Sequence, residues 1–521
     1  MTPANRARGG ESRFVSNTTA LAVSAVVSTA LTLAQVKILA AWLLPGTFGA
    51  FAALRGFSLL LAMLASNGFP QLLVRFLPFH ESKNQMAKSI ALSGVCFLLP
   101  LLFLAIAVFV VELNRSFFFS FLFSTIPIGG DDSGQLFLWF YCTTLGVTLK
   151  LVLYGGFNGL RRLPLQVALE VASLAAQVVW VFLWREQLDL ARLFMILGAT
   201  SLATSVVGFP LYFVRLQRDI SRRGTPADGT ATGVGYGGYW LGAAGMSMVA
   251  VAFTDVDRYV LSRVLALEVL SQFHIGSRLL RLTNRVLSVP VLAFQPEVSR
   301  LEAENRERSI VDTTRVFFKF NTAFATLAAF ALAALSPELV RLVANEQYAA
   351  AAPLLRILAI SVPLTAMTAP LTAVMKALDQ VSRALFCDLA WAVSYVALLL
   401  YLGGTFGLTG VGAAQVLASL LQLTLALRLG RVKPALADVA STALKCLICG
   451  VVAFAPVLAA GLFLQSQTAS MVVKLLLMLP AVLLFRLIAV KGLGLFNDGD
   501  RHALVSLLER RGMGAVARRL V

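Results

Sequence analysis

Glu268–Phe294, EVLSQFHIGSRLLRLTNRVLSVPVLAF, is an apolar run that carries His274, Arg278, Arg281 and Arg285 at spacings of four, three and four. On a helix all four side chains fall in one stripe. The run has the length of a membrane span, about 20 residues or more. Each Arg at a bilayer centre costs roughly 2.5–3.5 kcal/mol even on a lenient insertion scale. Several on one helix cannot all face lipid. The stripe must line a water-filled interior, pair with acids, or meet something anionic.

Outward from this run the whole chain reads as membrane protein. Hydrophobic residues make up 58% of it and charged residues 13%, about half the charge of a soluble domain. Apolar runs between charged or Gly/Pro breaks predict an all-α polytopic protein of about fourteen transmembrane helices. These are 18–43, 47–72, 88–111, 134–156, 163–184, 190–214, 238–264, 268–294, 316–336, 350–377, 383–402, 409–429, 438–464 and 469–490. The basic start (Arg6, Arg8, Arg13) before Thr18–Leu43 resembles a signal peptide. That apolar run is too long and lacks a clear small-x-small cleavage site, so it is read as the first span.

Alternate connections differ in charge. One set holds Arg75/Lys83/Lys88, Arg161/Arg162, Arg215/Arg218/Arg222/Arg223, Arg300/Arg306/Arg308/Arg315, Lys376/Arg383 and Arg428/Arg431/Lys433, besides both termini. The other set is nearly free of cations: Pro45–Gly46, Asp131/Asp132, Glu186/Asp189, Glu268, Glu338/Glu346 and Gly403/Gly404. The positive-inside rule then predicts cytoplasmic termini and an even number of spans. The formal net charge of +18 follows from the same rule together with contact to anionic lipids, and it is too scattered for nucleic acid.

The segment 217–237 is rich in Gly, Thr and Arg and reads as a cytoplasmic linker. It separates an N-lobe of six helices (1–216) from a C-lobe of six (238–432). Two further helices follow (433–490). The tail 491–521, with Leu504, Leu507, Leu508, Arg510, Arg511, Arg518 and Arg519, reads as a basic amphipathic segment on the inner leaflet. The five cysteines all lie in apolar spans, and the Cys446/Cys449 pair has no second pair or His cluster beside it. Neither a GxxxxGK loop nor an HExxH motif occurs. An enzyme is not expected, and neither is a cofactor or a metal.

The two lobes echo each other at an offset of about 222 residues. Lys37-Ile-Leu-Ala-Ala-Trp-Leu-Leu-Pro-Gly-Thr-Phe-Gly-Ala-Phe51 aligns with Tyr259-Val-Leu-Ser-Arg-Val-Leu-Ala-Leu-Glu-Val-Leu-Ser-Gln-Phe273. Each contains a helix end, a short turn and a returning helix. Arg55 then falls within one residue of Arg278. Structural repeats are a common way for transporters to build a site between lobes.

Leu44-Pro-Gly-Thr-Phe-Gly and Asn67-Gly-Phe-Pro-Gln-Leu-Leu-Val-Arg-Phe-Leu-Pro78 resemble the second-helix signature of Wzx-type polysaccharide flippases. Asp257-Arg-Tyr-Val-Leu-Ser-Arg with Phe273, Pro290 and Pro296-Glu-Val-Ser-Arg300 is similar to the start of their second half. These flippases belong to the multidrug/oligosaccharidyl-lipid/polysaccharide (MOP) exporter superfamily. The resemblance implies two six-helix lobes around a cationic cavity, alternating access, and an undecaprenyl-pyrophosphate-linked oligosaccharide as substrate. It also implies that the last two helices form a groove for the polyprenyl tail. Related peptidoglycan-precursor flippases use basic residues of helices one, two and eight for pyrophosphate, and Lys37, Arg55 and Arg278 match by helix. Surface-polysaccharide polymerase and glycosyltransferase machinery would be partners, and a monomer is the default.

The polar residues carry duller readings beside these. Counting back from the turn near Ala266 puts Asp257 level with about Ile275 and Asp255 level with about Ser277, an ion-pair ladder for the stripe. The acids are fewer than the cations, and guanidinium suits phosphate through paired hydrogen bonds. Arg278, Arg281, Arg55, Arg285 and Lys37 are therefore the pyrophosphate candidates, although Arg55 and Lys37 could snorkel. Asp255, Asp257, Glu170, Asp388 and His274 are the ion-coupling or counterion candidates, with Lys150 the expected partner of Glu170. The alternatives are a peptidoglycan-precursor (lipid II) flippase, a cation-coupled multidrug exporter and a non-transport scaffold. The exporter class tends to use a carboxylate in helix one, and Thr18–Leu43 has none.

Overall fold

The structure is a computed structural model. It describes residues 27–82, 86–114, 132–160, 162–221, 236–237, 240–241, 244–245, 256–303, 307–378, 380–430, 436–463 and 467–495. Among these there is no strand. The helices are α1 (Val27–Trp42), α2 (Pro45–Ala65), α3 (Phe69–Ser82), α4 (Met86–Leu113), α5 (Asp132–Gly159), α6 (Leu163–Leu183), α7 (Leu190–Ser221) and α8 (Val256–Val264). They continue with α9 (Leu267–Ala303), α10 (Glu307–Ala334), α11 (Ser336–Val343), α12 (Ala351–Ala377), α13 (Val381–Leu429), α14 (Leu436–Phe463) and α15 (Gln467–Leu487). The protein is all-α, and ten of these helices are long and apolar enough to cross a membrane. The ten omit α9, which its own charges make too polar, and α1, which is shorter. The count of fourteen rests on the sequence.

Three predicted spans are shaped differently from expectation. Helix two does not run unbroken over 47–72. It stops at Ala65, and the chain restarts at Phe69 after Gly68 takes φ +77°, a left-handed conformation that Gly reaches without a Cβ clash. Pro70 then sits in the first turn of α3, where its missing N–H would have no partner in any case. The carbonyl of Asn67, freed by the break, accepts from the Trp240 indole at 2.9 Å.

The predicted pair 383–402 and 409–429 is one hairpin, α13. Helical geometry persists past Gly403 and Gly404, and the chain reverses at Gly407 (φ +59°). Hydrogen bonds from Arg383 to the carbonyl of Leu429 and from Gln422 to Asp388 show that the two arms lie antiparallel.

The chain forms two compact units, Met1–Ser271 with Val343–Asn345, and Gln272–Leu342 with Glu346–Val521. In the first, α5 is the hub, packed by α2, α3, α4, α6 and α7. Apolar burial gives no drive between helices in lipid, so close backbone approach and hydrogen bonds do the holding. A Cβ on Gly146 would lie 2.8 Å from Ser201 Cβ, which shows how near α7 comes. Thr143 donates to the carbonyl of Phe194 on α7 at 2.9 Å, and Ser58 on α2 pairs with Thr144 at 2.9 Å.

In the second unit α12 packs on α10 and α13, and α14 on α10 and α15. Pro370 cannot donate to the carbonyl of Ala366 four residues back. Asn321 of α10 donates to that carbonyl at 2.7 Å instead. Cys446 and Cys449 are fully buried core residues beside Phe454 and Val457.

The 222-residue echo is present in the backbone. Leu43 and Leu44 link α1 to α2, and Leu265 and Ala266 link α8 to α9. The hydrogen bonds Leu43 N–H to Leu39 O and Phe48 N–H to Leu44 O recur as Leu265 to Leu261 and Leu270 to Ala266. Each pair is displaced by the same number of residues.

Candidate functional site

The stripe that opened the sequence lies on α9. His274 is 1% exposed, Arg278 and Arg281 are half-buried, and Arg285 is exposed. The gradient runs along one helix face, from interior to surface. Arg281 Nη2 donates to Ser277 Oγ at 2.9 Å, and Ser277 Oγ donates to the carbonyl of His274 at 3.1 Å. One end of the Arg281 guanidinium is therefore held against its own helix, which restricts the rotamers that it must give up on binding. Guanidinium groups at this depth offer an anion several donors in a medium where each is worth more than in water.

A second cluster belongs to the first unit. Arg55 on α2 has its guanidinium carbon 5.9 Å from the Phe51 ring centre. Lys150 on α5 lies within Coulombic reach of both Arg55 and Glu170 of α6. Two cations and one acid thus share a small volume, all three half-buried. The local sequence produces this simply: α2, α5 and α6 are apolar helices interrupted at one position each by a long charged side chain.

The remaining candidates lie on other helices. Asp388 on α13 accepts from Gln422 Nε2 at 2.9 Å and lies 3.7 Å from Lys376 Nζ, so it is already matched by a cation and an amide. Asp257 is buried at the start of α8, which packs on α2. Lys37 is exposed on α1. Asp255 lies outside the described residues, as do the N-terminal arginines and the tail from 496 on. No cluster of three or more metal-ligating side chains occurs among the described residues.

Sequence reading did not pair Lys474 with Glu338. Lys474 Nζ donates to Glu338 Oε1 at 2.7 Å, with side chains only 5% and 10% exposed. A cation buried in the last long helix and an acid on the short α11 are the only signal, and they lie far apart in the chain.

No family model matches the sequence, and no curated protein matches it. Solved structures do. The chain is similar to the lipid II flippase MurJ in an inward closed conformation, with TM-score 0.63 and 14% identity over 92% of this chain and 99% of that one. It is also similar to an inward-facing MATE multidrug resistance transporter of the MOP superfamily, with TM-score 0.60 and 14% identity over 77% and 93%. A MOP superfamily transporter from Pyrococcus furiosus, described as having a binding pocket of reverse polarity, gives 0.54 and 14% over 80% and 95%. The chain therefore has the fold of the MOP transporters, a multi-pass membrane architecture. At such identity the likeness is one of fold.

Proposed function

We propose that the protein is a flippase that carries undecaprenyl-pyrophosphate-linked oligosaccharide units across the bacterial inner membrane for surface polysaccharide, exopolysaccharide or lipopolysaccharide synthesis. Translocation proceeds by alternating access. Arg278 and Arg281 bind the pyrophosphate, and Arg55, Arg285 and Lys37 are its further candidate contacts. The observation that carries this reading is the half-buried pair Arg278 and Arg281 on one face of a membrane-length helix. Lipid cannot accommodate those charges, and a planar guanidinium matches phosphate geometry. The likeness to a lipid II flippase supports a polyprenyl-pyrophosphate cargo.

That likeness also favours a second reading, a peptidoglycan-precursor flippase with the same headgroup chemistry and a different sugar. A cation-coupled drug exporter is less consistent with the chain, because Val27–Trp42 contains no carboxylate and a basic site repels cationic drugs. Replacing Arg278 and Arg281 together by Ala tests the assignment in a proteoliposome flipping assay with a fluorescent polyprenyl-pyrophosphate sugar. Losing one charge-assisted hydrogen bond, about 1.5–3 kcal/mol, corresponds to roughly tenfold to 100-fold in rate or affinity. The expected result is a loss of at least that size at normal expression. Wild-type flipping by the double variant would remove these residues from the site.

A further inference from the structure

A cavity of about 390 Å³ lies among α3, α5 and the first turns of α6, lined by Pro70, Gln71, Tyr154, Gly155, Asn158 and Gln166. It is far larger than the roughly 30 Å³ of one water and falls at the small end of ligand pockets, about 300–1,000 Å³. Among the described residues no charged side chain lines it. Its rim is polar and exposed at Gln71 and Asn158. Deeper in, the Tyr154 hydroxyl and the Gln166 Oε1 are buried with no hydrogen-bond partner among the described residues. A buried polar atom left without a partner is costly, so two of them at one cavity require an explanation. Gly155 and Pro70 form a bare wall, because a Cβ on Gly155 would lie 2.6 Å from Pro70 Cα.

Position along the helices links this neutral cavity to the charged cluster. Lys150, Tyr154 and Asn158 follow one another at four-residue steps on α5, and Gln166 and Glu170 do so on α6. Each step keeps the same face and advances about 6 Å. Glu170 lies within Coulombic reach of Tyr154. One helical turn therefore separates cations suited to phosphate from amides and a phenol suited to hydroxyls. Carboxamides donate and accept side by side, and a phenol does both through one atom, which matches vicinal sugar hydroxyls. A carboxylate sugar would be buried there without a counter-charge.

We propose that this cavity is a carbohydrate subsite that holds a neutral pyranose through Tyr154, Gln166, Gln71 and Asn158. The proposal rests on the reading of Arg55 as a phosphate contact, since a sugar joined directly to pyrophosphate sits one turn from it. The test uses the full-length protein in nanodiscs and two probes, a short-chain polyprenyl pyrophosphate carrying one neutral hexose and the same lipid pyrophosphate without sugar. Tyr154→Phe and Gln166→Leu should each weaken binding of the sugar-bearing lipid about threefold to tenfold, the worth of one hydrogen bond. Both should leave the sugar-free lipid unchanged. Neither should lower the thermal midpoint, because neither atom loses a protein partner. Arg55→Gln should weaken both lipids. If both cavity variants bind the sugar-bearing lipid like wild type, or lose both lipids equally, the subsite is overturned while the Arg55 assignment survives. If wild type binds neither lipid, or Arg55→Gln changes neither, the underlying reading fails and the subsite falls with it.

Discussion

Lys474 and Glu338 are each almost fully buried and joined at 2.7 Å. Either charge alone would be untenable at that depth. Breaking such a pair from one side costs about 3–5 kcal/mol, because the survivor stays buried and uncompensated. Lys474→Met should therefore lower the thermal midpoint in detergent sharply. Adding Glu338→Gln to Lys474→Met should restore much of the loss, and a double variant no better than the single would show that the pair is not the cause. This partnership was not legible in the sequence. Helical period tells which residues share a face, but not which helix that face meets. Asn321 illustrates the same limit: its span was legible, whereas its service to the carbonyl orphaned by Pro370 needed the neighbour in place. The α9 stripe lay at the other extreme, since three arginines and a histidine at helical spacing in an apolar run can be read without any partner.

At the scale of elements, boundaries were legible where composition changes and illegible where backbone geometry decides. The Asn67-Gly68-Phe69-Pro70 signal sat inside a run apolar enough to read as continuous, yet the positive φ of Gly68 splits it. That split leaves α3 outside the set of membrane-length helices, and the end of the linker and the residue Trp240 beyond it pack against it. Tyr236 packs edge-on against Phe76 at 4.8 Å and hydrogen-bonds His80 Nε2 at 2.8 Å, while the Trp240 ring lies tilted against Phe69 with centroids 5.8 Å apart. Burial, and secondarily the charge of Lys88 on α4, pushes the His80 pKa below its ordinary 6.5. The attached form thus binds fewer protons than the detached form just below pH 6.5. Attachment is strongest at neutral pH and above, and weakens as pH falls through that range. Hydrogen exchange at Tyr236, Gly237, Trp240 and Leu241, corrected for intrinsic rate, should quicken between about pH 7.5 and 5.5. His80→Phe should remove that pH dependence while keeping the ring contacts, and an unchanged dependence in the variant would assign it elsewhere.

For the whole molecule, the repeat and the alternating charge of the connections carried most of what the sequence disclosed. The repeat reappears as two helix–turn–helix units 222 residues apart with matching hydrogen bonds. The charge pattern yields a topology prediction. Cytoplasmic and periplasmic reporters fused after Ser221, after Ala303 and at Val521 should all report the cytoplasm, and a periplasmic signal at Val521 alone would mean an odd number of spans. The cavity beside Tyr154 was not legible at this scale or any other, because an orphaned hydroxyl is defined only by what surrounds it.

The Lys474–Glu338 pair also fixes an order of events during synthesis. Translation runs from the N-terminus, so Glu338 leaves the ribosome 136 residues before the lysine that neutralises it. Until α15 enters the bilayer, the nascent protein carries an uncompensated acid, and any product ending short of that helix carries it permanently. A chain cut before α15 therefore holds α11 without the cation that matches its acid, and its α11 is expected to be less firmly seated than in a chain where Lys474 has arrived.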